Sequence, residues 1–478
     1  MNRKQWFGIA LACCFVAFCC SPVFRTWATF PGEVSIAAGS PYQLQLPLPF
    51  LLSVSADQAG LSVNDQVLAP NQAVLQKGRC ALFSPEPTEV NLKFRLFGVL
   101  PLGRLRVNVV EPIRVAPSGH SIGVTIRATT MVVGHGTIKT QEGAMQPSKE
   151  AGLAIGDMVL EVNGRQNPTV AQVAQEIERS GRNNRPVRLR VKRGEQQFNC
   201  EVKPVYCLEN HGWRIGLYLR DDAAGVGTLT FVDQESKTFG ALGHVIADAE
   251  TNQALEVQSG KIVRSRVTAI EQGRTGYPGE KRSVVVDEDK VLGVFTTNTG
   301  IGIFGDIIED ITQGTDLVPV ALVDEIKPGK AEILTVIENE KVERFEVEIV
   351  RVIKQYSPSG KGLVVKVTDP VLLEKTGGIV QGMSGSPILQ NGRLVGAITH
   401  VFVNKPDSGY GVFAEWMVRE SGLLEKREQL APTFFYRRYL HKSAGLWPAF
   451  LFAKLKYQSI GRREDLRCRI EKCQQFLF

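Results

Sequence analysis

Ser384 stands in Gln381-Gly382-Met383-Ser384-Gly385-Ser386-Pro387, held between small residues in front of an apolar run. A serine so placed can act as the nucleophile of a hydrolase, and the chain would then be a serine peptidase. A hydroxyl at its ordinary pKa attacks poorly, so the sequence must also supply a base, a carboxylate to orient it and donors for an oxyanion. Six histidines are available: His120, His135, His211, His244, His400 and His441. His244 lies in the glycine-punctuated apolar run Phe239-Gly240-Ala241-Leu242-Gly243-His244-Val245-Ile246 and is the candidate base, whereas His120 and His135 read as surface or core histidines. Asp248, Asp306 and Asp369 lie between His244 and Ser384 as candidates for the carboxylate. Asp369, in Val367-Thr368-Asp369-Pro370, is only fifteen residues before the serine, and spacing alone favours Asp306.

The elements that must position these groups are strands. Gly227–Val232, Lys261–Val267, Val284–Val286, Phe345–Ile353 and Leu363–Val367 are short runs rich in Val, Ile, Leu and Phe, the pattern of an all-β sandwich or barrel over 205–425. From 31 to 110, Val90, Leu92, Phe94 and Leu96 alternate with Glu89, Asn91, Lys93 and Arg95, which predicts a small β module. It has no catalytic constellation and reads as a spacer or docking domain. Between 112 and 204 come the glycine-containing run Ser121-Ile122-Gly123-Val124-Thr125-Ile126, then Ala151 to Leu160, Val162-Asn163-Gly164, a helical spacing of Val170, Val173, Ala174 and Ile177, and a hairpin around Arg193-Gly194.

Composition sets the outer bounds. With 478 residues, 43% hydrophobic and 22% charged, the chain is globular and long enough for about three domains. Ten of its 56 Lys and Arg and three of its 49 Asp and Glu fall after residue 430, so the first 430 residues are balanced at 46 of each. Outside the tail, no clustered basic face marks a nucleic-acid partner. Trp6 to Phe24 is free of charge and follows Arg3 and Lys4, which predicts a membrane-spanning segment with its start in the cytoplasm and the bulk of the chain exported. Cys80, Cys200, Cys207, Cys468 and Cys473 form no CxxC pair, so neither a disulfide framework nor a zinc site is expected.

Two resemblances sharpen this. The order of glycine turn, "AGLAIGDMVLEVNG", helix and closing hairpin resembles a PDZ domain, and implies that Ser121, Ile122, Gly123 and Val124 form a turn receiving a peptide ligand. Gly382 to Pro387, then Leu394-Val395-Gly396-Ala397-Ile398-Thr399-His400, then Gly409-Tyr410-Gly411-Val412-Phe413, resemble the C-terminal barrel of chymotrypsin-like peptidases. That resemblance implies an oxyanion hole from the amides of Gly382 and Ser384, a substrate-pairing strand at Thr399, His400 and Val401, and a structural role for Ser386. The whole layout, with "FGALGHVI" and "GGIVQGMSGSPILQNGRLVGAITHVFV", is similar to the stage IV sporulation protein B family over roughly 1–425. The family pattern implies a triad of His244, Asp369 and Ser384, and no cofactor.

The expected fold is therefore mainly β: a membrane anchor or signal segment over 1–30, a β module over 31–110, an α+β PDZ domain over 111–204, a chymotrypsin-like double β-barrel peptidase over 205–425, and a tail over 426–478 of unknown role. The tail interleaves Phe434, Phe435, Tyr436, Trp447 and Phe450 with Arg437, Arg438, Lys442, Lys454 and Lys456, which suits an anionic membrane surface. Family membership implies an exported sporulation peptidase in the forespore membrane, with its catalytic part between the forespore and mother-cell membranes. It would cut itself and a regulatory membrane subunit, and so trigger pro-sigma-K processing. The rival readings are a catalytically dead PDZ scaffold and a general envelope quality-control peptidase.

Overall fold

The computed structural model describes Phe24, Phe30, residues 32–46 and residues 51–430, apart from Gly78, Glu288 and Tyr356. The expected N-terminal membrane segment and the basic-aromatic tail beyond 430 lie outside the described residues. Among the described residues no helix is long and apolar enough to cross a membrane. The chain divides into two compact units, 1–423 and 424–478. Of the second, only its start in the helix Leu423–Leu430 is described.

Between Glu33 and Val110 the period-two pattern folds as its alternation dictates. Val90, Leu92, Phe94 and Leu96 are buried from the strand Thr88–Leu96, while Lys93 and Arg95 stay in solvent. That strand is the middle of a five-stranded sheet in the order Glu33–Ala37, Leu100–Val110, Thr88–Leu96, Leu51–Ala56, Ala73–Lys77. A four-stranded sheet that includes Arg79–Phe83 shares its core, where Leu82 and Val63 join Leu92, Phe94 and Val107.

The next strand changes the expected domain boundaries. Ser121–His135 is fifteen residues long, and its first half pairs on both edges: Ser121–Arg127 with Leu217–Asp233 on one side, and Ile122–Arg127 with Val257–Glu271 on the other. Ser121, Ile122, Gly123 and Val124 are therefore not a peptide-binding turn, because their strand is already hydrogen-bonded on both sides and buried. Gly123 serves close packing instead: a Cβ there would lie 3.0 Å from Val285 Cγ2 and 3.1 Å from Val263 Cγ2.

From Ser121–His135 the pairing runs through Val257–Glu271, Val291–Thr299, Gly302–Ile307, Thr238–Ala241 and Leu217–Asp233 and back to Ser121–His135. Six strands thus close on themselves around Ile122, Val124, Ile126, Leu229, Phe239, Ile262 and Phe295. This first barrel begins well before residue 205, and the α+β region is an insert between two of its paired strands. In the insert, Met158–Val162, Val187–Arg193 and Gln196–Val202 pair antiparallel. The helix Val170–Arg182 starts at a capping box of Thr169 and Gln172 and buries Val173 and Ile177.

The second barrel closes in the order Gly329–Val336, Val342–Val352, Leu363–Val367, Lys405–Phe413, Arg393–Phe402, Pro387–Gln390. Ile333, Val347, Ile349, Val365, Ile388, Ile398 and Phe413 fill it. Each such side chain contributes about 1.5–3 kcal/mol by leaving water, which makes the barrel a rigid frame for what its loops carry.

Candidate active site

The nucleophile turn sits between the two barrels and is stitched to the first. Thr228 donates its backbone N–H to the Ser384 carbonyl at 2.9 Å and its Oγ1–H to the Gly382 carbonyl at 2.8 Å. Thr230 Oγ1 donates to the Gly385 carbonyl at 2.7 Å. Gly385 has a φ of 95°, and a Cβ there would fall 2.1 Å from the Thr228 carbonyl oxygen, so no other residue fits. Within the turn, Gln381, Met383, Gly385 and Ser386 each donate their amide to a backbone carbonyl. The amides of Gly382 and Ser384 make no hydrogen bond among the described residues. They are the two groups expected to meet an oxyanion.

His244 reaches the same place from the first barrel. Leu242 and Gly243 both take positive φ, 68° and 71°, turning the chain sharply after the strand Thr238–Ala241. A Cβ on Gly243 would lie 2.9 Å from Thr399 Cγ2, so this bend packs directly on the strand that follows the nucleophile. His244 Nδ1 lies 2.8 Å from the Val245 carbonyl oxygen. A carbonyl only accepts, so Nδ1 carries the proton and Nε2 is left as the basic nitrogen. Burial holds the His244 pKa below its ordinary value, against the opposing pull of the Val245 carbonyl, and the imidazole is neutral at neutral pH.

Thr399 joins the two groups. Ser384 Oγ donates to the Thr399 carbonyl at 2.8 Å rather than to His244. Thr399 is the extra residue of a bulge, since Ile398 pairs with Gly411 and His400 with Tyr410. Thr399 Oγ1 donates to the Gly360 carbonyl at 2.8 Å. His400 brings its ring to 5.4 Å from that of His244, centroid to centroid, and its pKa is lowered by burial and then by His244 and Lys361. His400 and Val401 pair with Tyr410 and Gly409 on one side. On the other side the pairing with Pro387–Gln390 stops at Ala397, beyond which Ile398 N–H donates to the Ser386 carbonyl at 2.9 Å and the Ile398 carbonyl accepts from Gly385 N–H at 2.8 Å.

The structure does not bring Asp369 to His244. Its carboxylate caps the helix Pro370–Thr376, accepting from Val371 N at 2.9 Å and Leu372 N at 3.0 Å, and it also accepts from Glu346 N at 3.3 Å. Asp369 follows one end of Leu363–Val367, and Gly360, which touches Thr399, precedes the other. The strand between them is about 13 Å long. Asp306 pairs with Thr238, three positions up the strand from Ala241 and away from the His244 bend. Asp248 is buried and bound to Arg220 at 2.7 Å, with further bonds from the Glu250 and Thr251 amides. Burial would raise its pKa, but these donors outweigh it and hold the carboxyl below the usual range.

Thus no carboxylate hydrogen-bonds His244 among the described residues; its orienting partner is the Val245 carbonyl. Thr228, Thr230, Gly360 and Val245 are site residues that sequence reading did not find, because each acts through backbone contacts without a motif of its own. No group of His, Cys, Asp and Glu suited to a metal ion occurs among the described residues.

A serine and a neutral histidine gathered on one bulged strand between two six-stranded barrels, beside two uncommitted amides, make this chain a serine peptidase. Residues 211–418, 208 of the chain's 478, match the family model described as SpoIVB peptidase S55. No curated protein matches the chain. Among solved structures it is similar to the active form of the Rv3671c protease from M. tuberculosis, with 12% identity over 42% of this chain and 74% of that one, at a TM-score of 0.27. The inactive form of the same protease gives 13% identity, 41% and 84% coverage, and a TM-score of 0.25.

Proposed function

We propose that this peptidase is an exported sporulation endopeptidase that cuts itself and then a regulatory membrane subunit, releasing pro-sigma-K processing. The family match supports the sporulation role, and the uncharged run Trp6 to Phe24 supports export, with the catalytic part between the forespore and mother-cell membranes. The observation that carries the chemistry is the pair of open amides at Gly382 and Ser384 beside a hydroxyl whose partner is only a carbonyl. Ser384 turns from Thr399 to His244 Nε2, gives up its proton and attacks the peptide carbonyl. The amides take the oxyanion, and His244 returns the proton to the departing amine. Water then releases the acyl group by the same route. A protein substrate would lie along Thr399, His400 and Val401 as an added strand. The α+β insert is the PDZ-type module that selects targets, through a surface other than Ser121–Val124.

The test is fluorophosphonate labelling of the full chain, together with self-cleavage. Wild type is labelled; Ser384→Ala is not, and His244→Ala is labelled at least ~100-fold more slowly. Labelling that survives Ser384→Ala removes the assignment. A wild-type protein that is labelled yet never self-cleaves and leaves the membrane subunit intact keeps the peptidase and removes the sporulation role.

A further inference from the structure

Lys281 is the most deeply buried basic side chain among the described residues, 1% exposed, and it is not part of the mechanism above. It belongs to the strand Glu280–Val285, which pairs with Val257–Glu271 of the first barrel. Its side chain crosses to the second barrel and ends behind the nucleophile turn. There Lys281 Nζ donates to Thr335 Oγ1 at 2.7 Å, and Ser386 Oγ donates to the same oxygen at 3.0 Å. The stem lies against Gly382: a Cβ on that glycine would be 3.1 Å from Lys281 Cβ and 3.4 Å from Cδ. The backbone is tied in as well, with Lys281 N–H donating to the Gln381 carbonyl at 2.9 Å and Gln381 N–H to the Gly279 carbonyl at 3.1 Å.

A buried lysine normally has a carboxylate beside it. This one has none. Glu271 on the paired strand is bound to Arg282, and Glu280 is exposed. On the facing hairpin of the second barrel Glu332 is bound to Arg344 and Glu343 to Lys341, with both basic partners exposed. Burial without a counter-charge pushes the Lys281 pKa down to about 7.

We propose that Lys281 is a positioning residue of the nucleophile turn, holding the Gly382 and Ser384 amides from behind and placing a positive charge there when the oxyanion forms. This rests on the reading of those amides as the oxyanion donors. The negative oxyanion is the counter-charge that the resting site lacks, so the protonated lysine is favoured most when the tetrahedral adduct is present. His244 must be neutral and Lys281 charged, and the two requirements bound activity from opposite sides. Activity rises with pH as His244 loses its proton and falls as pH passes about 7 and Lys281 loses its own. The stability effect runs the other way. Between about 7 and the ordinary lysine value of ~10.4 the unfolded chain holds a proton that the folded one has given up, so the buried amine costs stability there, and increasingly so towards the lower end.

The experiment measures the fluorophosphonate labelling rate against pH for the full chain, with the unfolding midpoint at pH 7, in wild type, Lys281→Met and Lys281→Arg. In Lys281→Met the rate below pH 7 falls roughly tenfold or more, the fall above 7 disappears, and the midpoint is unchanged or higher. Lys281→Arg, charged throughout, restores rate and moves the upper fall out of range. A Lys281→Met profile that superimposes on wild type overturns the proposal, as does a rate loss matched by a lower midpoint and not restored by arginine. No labelling of wild type at any pH takes down the reading of the amides and this inference with it. A labelled wild type with an unaltered Lys281→Met profile takes down this inference alone.

Discussion

Gly385 shows how tightly single residues are specified at this site. Its φ of 95° and the 2.1 Å approach of the Thr228 carbonyl leave no room for a methyl group. Gly385→Ala is expected to cost several kcal/mol, ~1–3 from the backbone alone, and to abolish labelling; a near-wild-type unfolding midpoint would contradict this. His244 gives a prediction in pH. Because burial lowers its pKa, the acid limb of kcat/KM is expected below the ordinary histidine value of ~6.5. A limb at or above that value would show an exposed or carboxylate-paired imidazole. Ser384 and His244 were legible because each is announced by local glycines that shape its own turn. Lys281 was not, since Glu280-Lys281-Arg282 reads as a solvent face and its burial comes from its side chain reaching from a strand of the first barrel to Thr335 of the second.

At the scale of elements, Asp369 shows where chain order misleads. An aspartate followed directly by proline and then Val371 and Leu372 is a helix start, with the carboxylate as N-cap and Pro370 at the first helical position. That signal was in the sequence but competed with the family's order of histidine, aspartate and serine. Order along the chain does not say which donors a carboxylate meets. Asp369→Ala is expected to cost about 0.5–2 kcal/mol, and Asp369→Ser, which can still cap, to recover most of the stability together with the labelling rate. A serine variant that is stable but unlabelled would return Asp369 to the chemistry. The Ser121–Val124 run misled in a related way, because a glycine that permits close approach of Val263 and Val285 has the same letter as one that turns the chain.

For the whole molecule, the strand pattern of 205–425 revealed the β architecture but not where the first barrel begins. Its opening strand lies before the insert, and the partners that close the ring are about ninety to one hundred and forty residues further on. No periodicity reports a contact over that distance. Closure matters because the catalytic groups come from both barrels and are held together by Thr228 and Thr230. Thr228→Val removes one hydroxyl and leaves the Gly382 carbonyl unpaired, at a cost of about 1–3 kcal/mol. The labelling rate is expected to fall further than the loss of folded protein explains; equal losses would mean that the hydroxyl only supports the fold. The bond from Ser384 to the Thr399 carbonyl reaches further still. A polypeptide laid along that edge is expected to offer its own N–H to the same oxygen and to displace the serine hydroxyl towards His244, so that the bond would act as a latch released by a substrate backbone. A peptide substrate N-methylated at the amide that faces Thr399 is expected to compete for the cleft yet lose turnover, and equal kcat for the methylated and parent peptides would show that the latch does not exist.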